Sequence, residues 1–105
     1  MAISSFLGSI GRNLPSETNF YMATSYRCSK SALNQLIKCF SLDVPEVCFL
    51  AVSPGHVQTD MGNASGRTAP LTVEHVASSL AQLATKMNKK MSGSFVDYEG
   101  VEIPY

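Results

Sequence analysis

The sequence carries no excess of charge of either sign. Eight basic and eight acidic side chains give a formal net charge of zero at pH 7. A surface field that attracts nucleic acid or an anionic membrane is therefore not expected. No run of 18 apolar residues is present either, which argues against a transmembrane helix. These absences leave small molecules and other proteins as the expected partners.

Cysteine is scarce, and its pattern suggests neither a disulfide framework nor a metal site. Cys28, Cys39 and Cys48 are odd in number and lack the spacing of metal ligands. We expect all three thiols to be buried and to behave as small apolar groups. The residues given show no basic start followed by an apolar segment, as a signal peptide would. The sequence thus predicts no metal and a reducing, soluble, cytoplasmic compartment.

The apolar pattern alternates between short continuous runs and helical periodicity. At 105 residues the chain is one domain at most. Apolar residues three and four positions apart predict helices, and short runs bounded by turn residues predict strands. The expected order is a strand end at 2–3, a helix at about 19–42, a strand at 47–52, a helix at 73–89 and a strand at 95–96.

Local signals set the boundaries of these elements. Asp43 and Pro45 close the first helix, and Thr72 is placed to cap the second. Residues 56–70 are a loop, and 97–105 are a polar tail with a turn at Glu99–Gly100. The alternation predicts a parallel α/β sheet with right-handed crossovers. Three strands and two helices are few for such a sheet, so the chain resembles the second half of a larger fold.

Tyr26 and Lys30 lie four residues apart in the first predicted helix. That spacing places the phenol and the ammonium about one turn apart on one face. A free tyrosine titrates near ~10, and a neighbouring cation favours its ionised form. The pair is a plausible general acid and base, although an ordinary surface pair would show the same spacing.

Three motifs in order resemble the carboxyl-terminal half of a short-chain dehydrogenase/reductase. They are SSFLGS at 4–9, YRCSKSALN at 26–34 and PGHVQTDM at 54–61. The ending, from Gly93 to Gly100 with Pro104 beyond it, looks like the C-factor-like carbonyl reductase branch. The resemblance implies the carboxyl-terminal half of a Rossmann-type doubly wound parallel sheet, in a single partial domain over 1–105. The glycine-rich first βαβ unit is missing from the sequence given.

The resemblance also implies a catalytic set for hydride transfer between a carbonyl or alcohol and NADP or NAD. Tyr26 would be the acid and base. Lys30 would favour the ionised form of Tyr26 and bind the nicotinamide ribose, and Ser5 would hold the substrate oxygen. The turn after the middle strand would meet the nicotinamide end of the cofactor through Pro54, Gly55, Val57 and Thr59. The substrate would be a small carbonyl or alcohol.

Two departures from the family pattern qualify this assignment. The interval from Ser5 to Tyr26 exceeds the commonest family spacing, so Ser5 is placed through an inserted loop, and it is preferred to Ser4. The family's helix that pairs with the Tyr26/Lys30 helix in a homo-oligomer is absent as well. If Met1 is the true start, we expect no binding of NADPH or NADH.

One other function remains open, a catalytically silent fragment or interaction module that exposes an apolar face of the helix at 20–42. Ser5, His56 and Asp60 could suggest the triad of a hydrolase, but no nucleophile elbow surrounds Ser5, which argues against it. His56 is instead expected to be an exposed loop residue. The choice of NAD or NADP and the identity of the substrate are not encoded in the motifs.

Overall fold

A parallel three-stranded sheet organises the chain in the computed structural model, which describes residues 1–14 and 23–105. The strands are β1 (Ala2–Ile3), β2 (Leu50–Ser53) and β3 (Ser94–Asp97), in that spatial order. The α-helices are α1 (Thr24–Asp43) and α2 (Val73–Lys86). Three short 3₁₀ turns cover Phe6–Gly8, Ala64–Gly66 and Lys89–Met91. The predicted element order and the parallel pairing are confirmed.

Strand β2 forms the centre of the sheet and all four of its residues are buried. Ala51 pairs with Ala2 on one side and with Phe95 on the other. A strand that is covered on both faces can be apolar along its whole length, which explains the continuous run Leu50–Ala51–Val52. The buried strand therefore fixes the position at which the loop after Ser53 begins.

The two helices cover opposite faces of the sheet. Ile37 of α1 packs in one core cluster with Ala51 and Phe95. Leu83 of α2 packs in the other cluster with Leu50, Val52 and Val96. Side chains of successive strand residues point to opposite faces, so Ala51 belongs to one cluster whereas its neighbours Leu50 and Val52 belong to the other.

This arrangement corrects the expectation of two right-handed crossovers. The strands are parallel and follow one another across the sheet, so helices on opposite faces require connections of opposite hand. The preference for right-handed crossovers applies where a strand leads closely into its helix. Residues 54–72 instead form a long loop, which lets the chain pass around the strand ends to the other face.

Two of the four predicted helix ends, the end of α1 and the start of α2, agree with the structure. Helix α1 ends at Asp43 as expected, and Thr72 caps α2 by accepting a hydrogen bond from the His75 amide at 3.2 Å. Helix α2 ends at Lys86, three residues early, because the Asn88 side chain donates to the Lys86 carbonyl. Residue 23 is not helical, and the part of the first prediction at 19–22 lies outside the described residues.

The middle strand is shorter than the apolar run that predicted it. Positions 47–49 are not part of β2, which was wrong in the prediction. The neighbouring strands do not extend far enough to pair with them. The backbone at Phe49 is bound instead by the turn after α2, through the Ser92 hydroxyl and the Gly93 amide.

The carboxyl-terminal tail is part of the core. The turn at Tyr98–Glu99 leads into Gly100, whose φ of 88° favours glycine. The chain then returns along β3, and the Ile103 amide donates to the Phe95 carbonyl at 2.8 Å. Ile103 is buried, so the prediction of a polar tail was wrong at this position. The tail covers the outer edge of β3, whereas β1 is the other edge of the sheet.

The cysteines and the surface of α1 differ in burial from the expected pattern. Cys28 and Cys39 are exposed and Cys48 is half-buried, so the prediction of three buried thiols was wrong. Helix α1 buries only Asn34 and Ile37, which leaves most of its apolar residues at the surface. In 1–14 and 23–105, no helix combines the length and apolar character needed to cross a membrane.

Tyr105 links the tail to the turn before β3 by donating its phenolic hydrogen to the Gly93 carbonyl. Burial, and secondly the charge of Glu102, raise the pKa of the Tyr105 phenol above its ordinary value. The folded chain therefore holds this proton more tightly than the unfolded chain. Below the ordinary pKa both states are protonated and the full contribution to stability is present.

We expect the free energy of unfolding to fall as the pH rises above about 10, where the unfolded chain begins to lose the Tyr105 proton. Tyr105→Phe should lower stability at neutral pH, because the bond to Gly93 is lost, and should reduce the further loss at alkaline pH. Urea unfolding at about pH 8 and about pH 10.5 measures both effects, with Tyr98→Phe as the matched control. An equal alkaline loss in both variants would contradict the assignment.

Candidate functional site

A cavity of about 670 Å³ opens at the carboxyl ends of β1 and β2. Ligands of open parallel α/β sheets bind at this end of the strands. All of the site residues expected from the sequence line this one cavity: Ser5, Tyr26, Lys30, Pro54, Gly55, Val57 and Thr59. The fold therefore brings together residues from β1's end, from α1 and from the loop after β2.

Ser5 lies at the start of a tight turn that directly follows β1. Its hydroxyl accepts a hydrogen bond from the Leu7 amide at 3.2 Å and caps the 3₁₀ turn Phe6–Gly8. The Phe6 amide donates to the Ser53 hydroxyl at 2.9 Å, which fastens the turn to the end of β2. Ser5 is only 9% exposed and still lines the cavity. We call residues 4–8 the serine turn.

Tyr26 and Lys30 lie on the first two turns of α1, where the helix faces the cavity. The Lys30 ammonium nitrogen is 5.7 Å from the centre of the Tyr26 ring, within the range of a cation–π interaction. The same nitrogen donates to the Ile3 carbonyl at 2.9 Å. Tyr26 is 36% exposed, so its ring is open to the cavity and to solvent. Lys30 thus connects the tyrosine to the strand that precedes the serine turn.

Gly8 allows the serine turn to lie directly against α1. A Cβ atom at this position would lie 2.8 Å from both the carbonyl carbon and the Cβ of Lys30. The Ser31 hydroxyl donates to the Gly8 carbonyl at 2.8 Å. Only glycine permits this close approach of two backbones, so the spacing between Ser5 and the Tyr26/Lys30 helix depends on a residue without a side chain.

The loop after β2 closes the cavity on the side of α2. Its second residue, Gly55, has a φ of 79°, a conformation that favours glycine. The Thr59 hydroxyl accepts from the Gly62 amide at 3.0 Å, and a Cβ at Gly62 would lie 1.8 Å from the Val57 carbonyl oxygen. Hydrogen bonds from Arg67 to the carbonyls of Ala64 and Met61 hold the far side of the loop.

His56 belongs to this loop and does not form a triad with Ser5. Its Nε2 is 2.6 Å from the Gly62 carbonyl oxygen, and the residue is half-buried, so the expectation of an exposed residue was wrong. Asp60 is exposed on the loop surface and does not line the cavity. His56 lines the cavity, but its Nε2 contacts the Gly62 carbonyl, and among the described residues no hydrogen bond joins it to Ser5, so the triad is not formed.

The sequence did not identify the apolar wall of the cavity. Helix α2 contributes Val73, Val76, Ala77 and Leu80 to the lining. The sequence predicted the helix at 73–89, but periodicity cannot tell which part of an apolar stripe faces a sheet and which part faces a cavity. Ser53 and Asn34 were missed as well, since a polar residue that supports a turn has no distinctive spacing.

The chain is similar to known proteins both in sequence and in structure. The C-signal of Myxococcus xanthus is 34% identical over 105 residues, covering 98% of this chain and 58% of C-signal. The carbonyl reductase Sniffer of D. melanogaster is 36% identical with a TM-score of 0.85, covering 98% of this chain and 39% of that protein. The chain belongs to the short-chain dehydrogenase/reductase family.

A further member of this family gives the same result. An NADPH-bound carbonyl reductase from chicken fatty liver is 34% identical with a TM-score of 0.86, covering 98% of this chain and 41% of that one. No protein-family model matches the sequence. The chain spans 58% of C-signal and about two fifths of the two reductases, and it corresponds to their carboxyl-terminal part.

Within this family segment, Gly8→Ala should destabilise the fold by about 1–3 kcal/mol, because the new methyl group overlaps the Lys30 backbone. Urea unfolding of the full chain measures the effect. Gly66→Ala is the control, since a Cβ there contacts nothing within 4 Å and only the φ of 74° opposes it. A Gly8→Ala variant that is as stable as the wild-type chain would show that the close approach is not required.

Proposed function

We propose that this chain supplies the catalytic and substrate-binding part of an NAD(P)-dependent reductase of small carbonyl compounds. The observation that carries the proposal is the convergence of Ser5, Tyr26 and Lys30 on one cavity at the strand ends. A hydroxyl, a phenol and an ammonium on one wall provide a hydrogen-bond donor, a proton donor and a positive charge. The proposal treats 1–105 as a single partial domain and places it in the cytoplasm.

The reduction of a carbonyl places negative charge on its oxygen. Ser5 would donate a hydrogen bond to that oxygen and stabilise the charge as it develops. Tyr26 would donate the proton from its phenolic oxygen to the same atom, and would accept it back in the direction of alcohol oxidation. Ser5 is 9% exposed, so its hydrogen bond would act in a medium less polar than water, whereas Tyr26 is open to solvent.

Lys30 would support Tyr26 through charge. Its ammonium nitrogen lies over the Tyr26 ring and is held by the Ile3 carbonyl, so the side chain is already directed toward the cavity. Its positive charge would offset negative charge that develops at the reacting oxygen. Lys30 would in addition bind hydroxyl groups of the nicotinamide ribose.

The residues present fit the nicotinamide end of the cofactor, which supplies the hydride when it is bound. Apolar side chains of α2 form one wall of the cavity, whereas Thr59 and the Pro54–Gly55 turn form its floor. An apolar wall beside polar groups suits a flat ring that carries an amide. The sequence contains no glycine-rich turn between a strand and a helix that would bind the pyrophosphate. The residues of this chain therefore do not determine whether the cofactor is NADP or NAD.

A second candidate function is an interaction module that uses the exposed side of α1. Leu36 and Phe40 lie four residues apart on one face of α1 and are 48% and 41% exposed. This surface suits contact with another chain, and a homo-oligomer through α1 would cover it. The observation favours a partner for α1 without excluding the reductase function, because the cavity lies at the other end of the helix.

Activity can be tested in a chimera that replaces the matching segment of the D. melanogaster Sniffer carbonyl reductase with residues 1–105. We expect the chimera to oxidise NADPH with small aromatic ketones or quinones. Tyr26→Phe should lower the rate by about 10²–10⁴-fold, because the proton donor is lost. Ser5→Ala should lower it by about 10²–10³-fold. Tyr98→Phe, outside the cavity lining, is the matched control and should leave the rate unchanged. An active chimera that tolerates Tyr26→Phe would refute the assignment.

The isolated 105-residue chain should show no measurable binding of NADPH or NADH. Without a pyrophosphate site, most of the contacts that hold a dinucleotide are lacking. Thermal unfolding with and without millimolar cofactor tests this, since a ligand that binds the native state raises the midpoint. A rise of several degrees in the unfolding midpoint with either cofactor would contradict the expectation. The result with the other cofactor would then show whether the binding is specific.

A further inference from the structure

A buried polar contact links the serine turn to α1, and the proposed chemistry does not use it. The Ser4 hydroxyl donates to the Asn34 side-chain oxygen at 2.6 Å, and both residues are 2% exposed. Asn34 is the polar member of the two residues that α1 buries. Burying a polar pair is costly unless both groups are satisfied, so a hydrophobic residue would be expected at such a position.

Asn34 contacts the other end of the serine turn as well. Its side-chain nitrogen points to the Gly8 carbonyl at 3.5 Å, the same oxygen that accepts from Ser31. One side chain therefore reaches the residue before Ser5 and the residue that ends its 3₁₀ turn. Because a side-chain amide has both an acceptor and donors, Asn34 can contact the Ser4 hydroxyl and the Gly8 carbonyl at the same time.

We propose that Asn34, acting through Ser4, is a positioning residue that fixes the Ser5 hydroxyl relative to Tyr26 and Lys30. Asn34 follows Lys30 by four residues and Tyr26 by eight on one continuous helix. At 1.5 Å per residue, the anchor is about 6 Å and about 12 Å along the helix from these side chains. Helix α1, which carries the proposed proton donor Tyr26, thus also carries Asn34. Asn34 supports the turn that holds Ser5, and Ser5 would bind the same substrate oxygen as Tyr26. This inference rests on the proposed function.

The contact also explains why Ser5, and not Ser4, is suited to bind substrate. The hydrogen of the Ser4 hydroxyl is committed to Asn34. The Ser5 hydroxyl acts as an acceptor toward the Leu7 amide, and this leaves its own hydrogen for a substrate oxygen at the cavity. Two adjacent serines therefore have different tasks, one in support and one in contact with substrate.

A purely structural role for the pair predicts a different outcome from a positioning role. Removing one partner leaves a buried polar group unsatisfied, which lowers stability in either case. Replacing both partners with apolar groups of similar shape restores stability, because no group is then left unsatisfied. If the contact only stabilises the fold, Ser4→Ala with Asn34→Leu should restore the serine turn. If the contact positions Ser5, the turn should stay displaced in that double variant.

The Leu7 amide reports directly on Ser5, since it donates to the Ser5 hydroxyl. We would record its ¹⁵N–¹H resonance and its hydrogen exchange in the full 105-residue chain. The variants are Ser4→Ala, Asn34→Leu and the double variant, with Gln35→Leu as the exposed control on the next position of the helix. Urea unfolding of the same samples gives their stabilities. No cofactor or activity is needed.

We expect the Leu7 resonance to move in all three variants and its exchange to accelerate about fivefold, the effect of losing one hydrogen bond. Amides in β2 and β3 should keep their protection in the double variant, and Gln35→Leu should leave Leu7 unchanged. A Leu7 resonance that stays at its wild-type position in Ser4→Ala, the smallest change, overturns the proposal. So does a return to that position in the double variant. Failure of Ser5→Ala to affect the reductase rate would refute the proposed function and leave the positioning result intact.

Discussion

The close approach of the serine turn to α1 is the constraint on which the rest of the site depends. Gly8 lies against the backbone of Lys30, and its carbonyl is held by Ser31. A side chain at Gly8 would separate the turn from the helix by the width of a methyl group. Such a shift would displace Ser5 from the helix that carries Tyr26, and reacting groups lose much of their effect when misplaced by about 1 Å. The spacing between Ser5 and α1 thus depends on the absence of a side chain at Gly8.

The second requirement is the loop that takes the chain from β2 to the opposite face of the sheet. This passage places α2 across the strand ends from α1, so that the cavity has a polar wall and an apolar wall. The loop is held by its own hydrogen bonds, at Thr59 with Gly62 and at His56 with Gly62. The backbone packing at Gly62 leaves no room for a side chain.

Stability is distributed unevenly over this fold. Strand β2 and its two core clusters are buried on both faces, and the tail completes the β3 edge through Ile103. By contrast, β1 is a two-residue edge strand, and α1 exposes Leu36 and Phe40. The site is built at the boundary between these regions, because Ser5 follows β1 and Tyr26 lies in the first turn of α1.

The sequence by itself determined the order of the elements, the parallel pairing and the polar residues that meet at the cavity, but not its apolar wall. Turn residues, capping residues and helical periodicity are local properties, so Thr72 and Asp43 could be assigned to helix ends from neighbours alone. The three motifs identified the cavity residues through resemblance. Only the tertiary structure decided the burial of Asn34, the inclusion of Ile103 in the core and the opposite faces of the two helices. These depend on contacts between residues far apart in the chain, and the spacing of residues along a sequence does not record such contacts.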